Sequence, residues 1–154
     1  MKKITLLIFL FCVSLIVNAQ AQKPNPDYDA ALAKQYEADD YGMKMYVLVI
    51  LKTGSNTTET KAKTDSLFAG HMANMGRLVK INKLIVAGPM GKNDKNYRGI
   101  FILNTKSLDE AKELLKTDPA VNAKVLDVEM FNWYGSAALA AYLTASEKVG
   151  KFKF

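Results

Sequence analysis

An α+β fold, a ferredoxin-like βαββαβ sandwich with an extra helix at each end, is what the sequence predicts, and three features of its pattern predict it. The run over 45–51 is apolar at odd and even positions alike, so the strand it forms must be covered on both faces. A long segment of helical period follows, and close behind it come two short β-rich runs, 84–87 and 99–103. A second helical segment opens at Ser107 and gives way to alternating apolar and polar residues over 124–133. Strand, helix, two strands, helix and strand in that order make one four-stranded sheet with two helices on it.

The chain opens with Met1-Lys2-Lys3, an apolar run over 4–17 and the small residues Ala19 and Ala21. Charge, short apolar stretch and small-residue cleavage site in that order form a secretory leader. Residues 1–21 are therefore expected to be removed, after Ala19 or Ala21, and the mature protein to work in the periplasm or outside the cell. The run is shorter than the roughly 20 apolar residues of a membrane span, so no stable membrane anchor is expected. Cys12 lies behind bulky Phe11 inside the run, not at the cut where a lipid-bearing cysteine would stand.

Losing Lys2 and Lys3 lowers the formal charge of +6 by two, and losing Cys12 removes the only cysteine. With a single histidine left, disulfides, thiolate metal sites and histidine-built metal centres are not expected. Roughly 130 remaining residues suit one domain. They divide into a linker and N-terminal helix over 22–44, a core over 45–133, and a C-terminal helix with a basic tail over 134–154.

Asn25-Pro26 reads as a helix cap with proline at the first helical position. A helix over 26–39 would lay Tyr28, Leu32 and Tyr36 as one apolar stripe on something larger, and 39–42 would end it. After the first strand and the turn over 53–56, Leu67, His71, Met75 and Leu78 share one face of a helix reaching about Val79, with Asn82 as a left-handed cap. The strand over 84–87 is stopped by Gly88-Pro89, and a polar loop over 91–98 leads to its hairpin partner. Ser107-Leu108-Asp109-Glu110 is a capping box, and Asp118-Pro119 closes the helix it starts. Leu126, Val128 and Met130 fall on one face of the last strand and Asp127 and Glu129 on the other. A short alanine-rich helix is expected over 136–147. Two helices cover one face of such a sheet, yet its first strand is apolar on both, so the other face is expected to meet a second copy in a sheet-to-sheet homodimer.

Several reaction classes drop out. The chain has no phosphate-binding glycine loop, no paired cysteines and no serine elbow. Its lysines are scattered, so nucleic acid is not an expected partner. His71 remains as the one side chain of a type that exchanges protons near neutral pH, although a lone histidine on an apolar helix face is also the ordinary look of a core residue. Asp118 could orient that imidazole or stabilise its cation, or simply form the turn before Pro119. Gly88 and Pro89 could let a ligand approach the backbone at a strand end, or make a plain turn. Lys80, Lys83, Lys92, Lys95 and Arg98, close in sequence, could favour an anionic ligand or form a solvated surface.

The opening strand, the single histidine on the first helix, Ala87-Gly88-Pro89-Met90, Ser107-Leu108-Asp109-Glu110-Ala111, Asp118-Pro119-Ala120-Val121 and the closing strand to Trp133 together give a resemblance. The stretch 45–133 resembles the YciI-like (YCII-related) family of the dimeric α+β barrel superfamily. The resemblance implies a ferredoxin-like dimer and a pocket in which a histidine and an aspartate form an acid/base pair, carried here by His71 and Asp118. Family members often have acidic residues just before the turn made here at Asn82, where this chain has Lys80 and Ile81. The best understood branch eliminates chloride from a hydroxylated aromatic ring.

Two functions follow as expectations. One is a cofactor-free isomerase- or lyase-type enzyme in which His71 and Asp118 move a proton on a small anionic or phenolic molecule held by Gly88, Pro89 and Arg98. The other is a small-ligand-binding or accessory dimer with no turnover.

Overall fold

The computed structural model describes residues 23–151. The leader read over 1–21 and the last three residues of the basic tail lie outside them. In chain order the elements are α1 (Ala30–Gln35), β1 (Met43–Thr53), α2 (Lys61–Lys80), β2 (Leu84–Pro89), β3 (Tyr97–Leu103), α3 (Leu108–Leu115), α4 (Pro119–Asn122), β4 (Leu126–Ser136), a 3-10 segment Ala137–Tyr142 and α5 (Leu143–Val149). The four strands form one sheet in the order β2-β3-β1-β4, every neighbouring pair antiparallel. With helices α2 and α3 linking the strands, this is the expected ferredoxin-like arrangement.

Strand β1 sits between β3 and β4, with Val47, Val49 and Leu51 pointing to the helix side and Tyr46 to the other. On the helix side Val47, Val49, Leu51, Phe101, Leu103 and Leu126 pack against Leu78 of α2, Ala111 and Leu115 of α3, and Ala120 and Val121 of α4. Val47, Val49 and Leu103 are wholly removed from water, which stabilises the fold by about 1.5–3 kcal/mol for each. The sheet therefore needs α2 and α3 as much as they need it.

On the opposite face Tyr46, Ile85 and Ile102 form a second cluster, packed against Leu48, Val86 and Trp133 and against Leu139, Ala140 and Leu143 of the C-terminal segment. The premise that this whole face is left for another copy is corrected here, because the chain's own C-terminal segment covers part of it. Phe131 on the same face stays 48% exposed. Tyr46 ties the start of the segment down by donating from its hydroxyl towards Ser136 O at 3.0 Å and Ala137 O at 3.2 Å. Gly135 is required at this bend, since a Cβ there would stand 2.4 Å from the Trp133 ring.

Several element boundaries differ from those the sequence predicts. Helix α1 is capped by Asp29, which accepts from Leu32 N at 2.9 Å, while Asn25 accepts from Asp27 N in a turn before it. It ends at Gln35, with Glu37 already at φ +57. Its stripe is only weakly covered among the described residues, with Tyr28 65% and Leu32 46% exposed and Tyr36 half-buried, and a helix with no buried residue stays short. Strand β2 runs through Gly88 and Pro89, which pair with Ile100 and Gly99 instead of stopping the strand. Proline is tolerated there because β2 is the sheet's edge, where a missing donor breaks no ladder. Asn82 adopts φ +56 beyond the end of α2. The alanine-rich stretch begins as 3-10 turns and becomes α-helical only at Leu143.

Tyr142 fastens the C-terminal segment to the edge strand. Its hydroxyl donates to Ile85 O at 2.5 Å, and Ile85 is the extra residue where the β2–β3 register shifts, so it stands outside the ladder. Burial pushes the Tyr142 phenol above its ordinary value. A raised acid favours the protonated, docked form, so its contribution is complete below about pH 10 and fades as pH climbs through the folded value. We predict that the stability advantage of wild type over Tyr142→Phe, read from urea midpoints, is constant at neutral pH and shrinks above about pH 10. An advantage that grows with pH would contradict this docking.

Candidate functional site

The site starts from two glycine-permitted approaches. Gly70 on α2 faces Pro119, where a Cβ would stand 2.9 Å from the ring Cγ, so the lack of a side chain lets the helix close on the α3–α4 turn. That approach brings the next residue, His71, within reach of Asp118. Gly76, Ala87, Gly88 and Gly99 supply little side-chain volume where α2 passes over the β2–β3 hairpin, and the space is a cleft of about 560 Å³.

Helix α3 ends at Leu115, shortly before Asp118-Pro119, and Asp118 has a second role that the sequence does not predict. It is the N-cap of the short helix α4, with Pro119 at the first helical position. Its Oδ1 accepts from Ala120 N at 3.0 Å and Val121 N at 3.4 Å. Its Oδ2 lies 2.6 Å from His71 Nδ1. The carboxylate is 1% exposed, and a buried carboxylate needs donors on both oxygens. An ionised carboxylate only accepts, so Nδ1 carries the hydrogen of this contact, and in the neutral ring Nε2 then holds the free lone pair.

His71 is itself only 7% exposed. Its ring stacks on Phe101, with centroids 5.8 Å apart and planes 19° apart, and meets Phe68 edge-on at 6.1 Å. With Nδ1 taken by Asp118, Nε2 is the nitrogen left to the cleft that His71 lines. The turn carrying Asp118 is tied back to α2, since Arg77 Nη2 donates to Thr117 Oγ1 at 2.7 Å and to Asn74 Oδ1 at 2.9 Å.

Of the residues singled out from sequence, His71, Gly88, Pro89 and Arg98 line this one cleft, and Asp118 stands behind His71. Leu51, Phe68, Met72, Met75, Val79 and Phe101 make its walls apolar. Arg98 is its one lining cation among the described residues. The basic cluster does not converge, because nearness in sequence at a helix end and a hairpin is not nearness in space. Lys83 pairs with Glu110 at 2.6 Å, and Lys95 lies over the Tyr97 ring. The carboxylate beside the imidazole comes from Asp118, so Lys80 and Ile81 before the Asn82 turn remove nothing from the pair. Tyr142, Leu143 and Ser146 also line the cleft, and no pattern within the sequence links them to His71. Phe68, one helical turn before His71, was legible in principle.

A second, polar cleft of about 430 Å³ lies between α1 and the α2–β2 turn, lined by Lys44, Lys83, Lys106, Glu37 and Glu110 among others. Its cations are already engaged. The hydrogen bond from Lys44 holds Glu37 below the usual carboxylate range, and that from Lys83 does the same for Glu110. Among the described residues no group of three or more His, Cys, Asp or Glu could hold a metal ion.

Asp118 thus serves a cap and an imidazole at once. Asp118→Ala is expected to lower stability by about 2–4 kcal/mol, combining a lost N-cap with a lost hydrogen bond to a charged group. Asp118→Asn should lose less, while its ring partner exchanges tautomers. Urea denaturation and the ¹⁵N shifts of the His71 ring check both. A ring spectrum unchanged in Asp118→Asn would show that the carboxylate does not fix the imidazole.

The YCII-related domain profile matches residues 45–134. Among solved structures, one of 5-chloro-2-hydroxyhydroquinone dehydrochlorinase (TftG) from Burkholderia phenoliruptrix AC1100, in complex with 2,5-dihydroxybenzoquinone, is 23% identical, with a TM-score of 0.41. It covers 56% of this chain and 92% of that one. No curated protein matches. With more than half its length, from within β1 to within β4, matched by the family profile, the chain belongs to the YCII-related domain family.

Proposed function

We propose that the chain is a cofactor-free acid/base enzyme, of isomerase or lyase type, acting on a small anionic or phenolic molecule. The observation that carries this reading is the 2.6 Å contact of His71 Nδ1 with a buried carboxylate, which leaves Nε2 as the ring nitrogen free to serve the apolar cleft that His71 lines. His71 Nε2 takes a proton from the bound molecule and returns it at another atom or to a leaving group. Asp118 keeps the ring in the tautomer with Nε2 free and stabilises the imidazolium formed in the step. Arg98, whose guanidinium has no partner among the described residues, meets the molecule's negative charge. Gly88 and Pro89 let it lie close to the hairpin backbone. Apolar walls exclude water and strengthen these charge interactions.

Proton abstraction is read directly by exchange of carbon-bound hydrogen for deuterium in D₂O, followed by NMR over a panel of hydroxylated aromatic and keto acids. A substrate found in this way should exchange about 10²–10⁴-fold more slowly with His71→Ala. A His71→Ala protein that folds and exchanges as fast as wild type would sink the acid/base assignment.

A second reading, a small-ligand-binding or accessory protein without turnover, is favoured by one observation: Asp118 also caps α4 and so has a structural reason to be there. Exchange would then be absent while ligand still bound in the cleft.

The proposal includes a homodimer, resting on the exposed Phe131 and half-buried Leu48 and Ile50 on the sheet face opposite α2, and an exported chain, resting on the leader pattern over 1–21. Light scattering on exported material is expected to give twice the chain mass, and intact-mass measurement a chain beginning at Gln20 or Gln22. A monomer at micromolar concentration, or an uncut amino terminus, would count against each in turn.

A further inference from the structure

The cleft around His71 is not built by the family domain alone. Tyr142, Leu143 and Ser146 line it together with His71, Phe101 and Arg98, yet they lie beyond the matched residues 45–134. The segment carrying them is docked in three ways. Leu139, Ala140 and Leu143 pack on the Tyr46, Ile85 and Ile102 cluster. The Tyr142 hydroxyl donates to Ile85 O at the bulge of the edge strand, and Tyr46 holds Ser136 and Ala137. Helix α5 itself has no buried residue, so its role is not to supply core.

We propose that the C-terminal segment is a wall of the His71 cleft and that Tyr142, Leu143 and Ser146 set which ligands fit, the class being an anion with an apolar body larger than a single ring. This rests on the reading of the His71 cleft as the ligand site. A volume of about 560 Å³ falls within the about 300–1,000 Å³ typical of sites for drug-sized molecules. The His71 end offers aromatic and methionine surface, Arg98 offers one positive charge, and the segment adds Leu143 and the Tyr142 ring, the hydroxyls of Tyr142 and Ser146 being already engaged as donors to Ile85 O and Leu143 O. Burial, which pushes the Tyr142 phenol up, keeps that hydroxyl protonated near neutral pH, so its bond to Ile85 O holds the segment in place. A single ring reaching His71 would leave the segment's side of the cleft in water, whereas a two-ring anion covers both.

The anionic naphthalene dye 1-anilinonaphthalene-8-sulfonate is a probe of this class. In the full chain carrying Cys12→Ser and Ser146→Cys, saturating dye is expected to slow alkylation of the introduced thiol by N-ethylmaleimide at least about tenfold. Leu143→Trp, which fills the cleft from the segment's side, is expected to weaken dye binding at least about tenfold in protein whose urea transition stays cooperative, any loss of midpoint being that of its contact with the Tyr46 cluster. Unprotected alkylation together with unchanged binding to Leu143→Trp overturns the wall. If His71→Ala still weakens dye binding in that case, the His71 site stands without it. Protection by dye combined with no effect of His71→Ala keeps the wall and removes the acid/base reading. Failure of the wild-type chain to bind the dye overturns the ligand class.

Discussion

A buried aspartate that must be shared between a helix end and an imidazole is the constraint around which this domain is arranged. Asp118 is 1% exposed, and a carboxylate at that depth persists only if its oxygens are occupied by donors. The amides of Ala120 and Val121 take one oxygen and His71 the other. Each hydrogen bond to a charged group is worth about 1.5–3 kcal/mol, a substantial part of the about 5–15 kcal/mol that holds a domain folded. Glycine at position 70 permits the approach, and Arg77, Asn74 and Thr117 hold the turn in place. Local stability and an oriented imidazole therefore draw on the same carboxylate.

The sheet has two different faces because its neighbours differ. On the helix side, large aliphatic side chains of β1, β3 and β4 fill the core under α2 and α3. Towards the β2 edge the chain turns to glycine and alanine at positions 76, 87, 88 and 99, and the same layer opens into the cleft. On the other side a short C-terminal segment, fastened through Tyr46 and Tyr142, covers part of the apolar surface. Phe131 remains outside it, half exposed. One end of the segment thus completes the second layer while the other borders the cleft.

Part of the chain's basic character is engaged in ion pairs. Lys44 with Glu37, Lys52 with Glu129, Lys61 with Asp65 and Lys83 with Glu110 are all within 2.8 Å. Exposed pairs of this kind contribute about 0–1 kcal/mol apiece and are weakened by salt. None of these paired lysines lines the His71 cleft, where Arg98 is the one lining cation among the described residues.

Period and punctuation in the sequence were enough to determine the order of the six core elements, the capping box at Ser107 and the left-handed Asn82, because each depends on neighbours within a few positions along the chain. The same local rule could have revealed α4: Asp118-Pro119 carries the cap-and-proline signature that was read at Asn25-Pro26, where the structure has only a turn. Which of the two nucleates a helix was decided by burial, since α4 packs Ala120 and Val121 into the core whereas the residues just after Asn25 are exposed. His71 and Asp118 were legible as candidates, but their 2.6 Å contact across 47 positions, the dispersal of the lysines, and the arrival of Tyr142 and Leu143 beside the cleft depend on how distant segments pack. Backbone preference and apolar period act over a turn of helix or a pair of strand residues, so they fix elements; only the tertiary structure decides which side chains meet between elements.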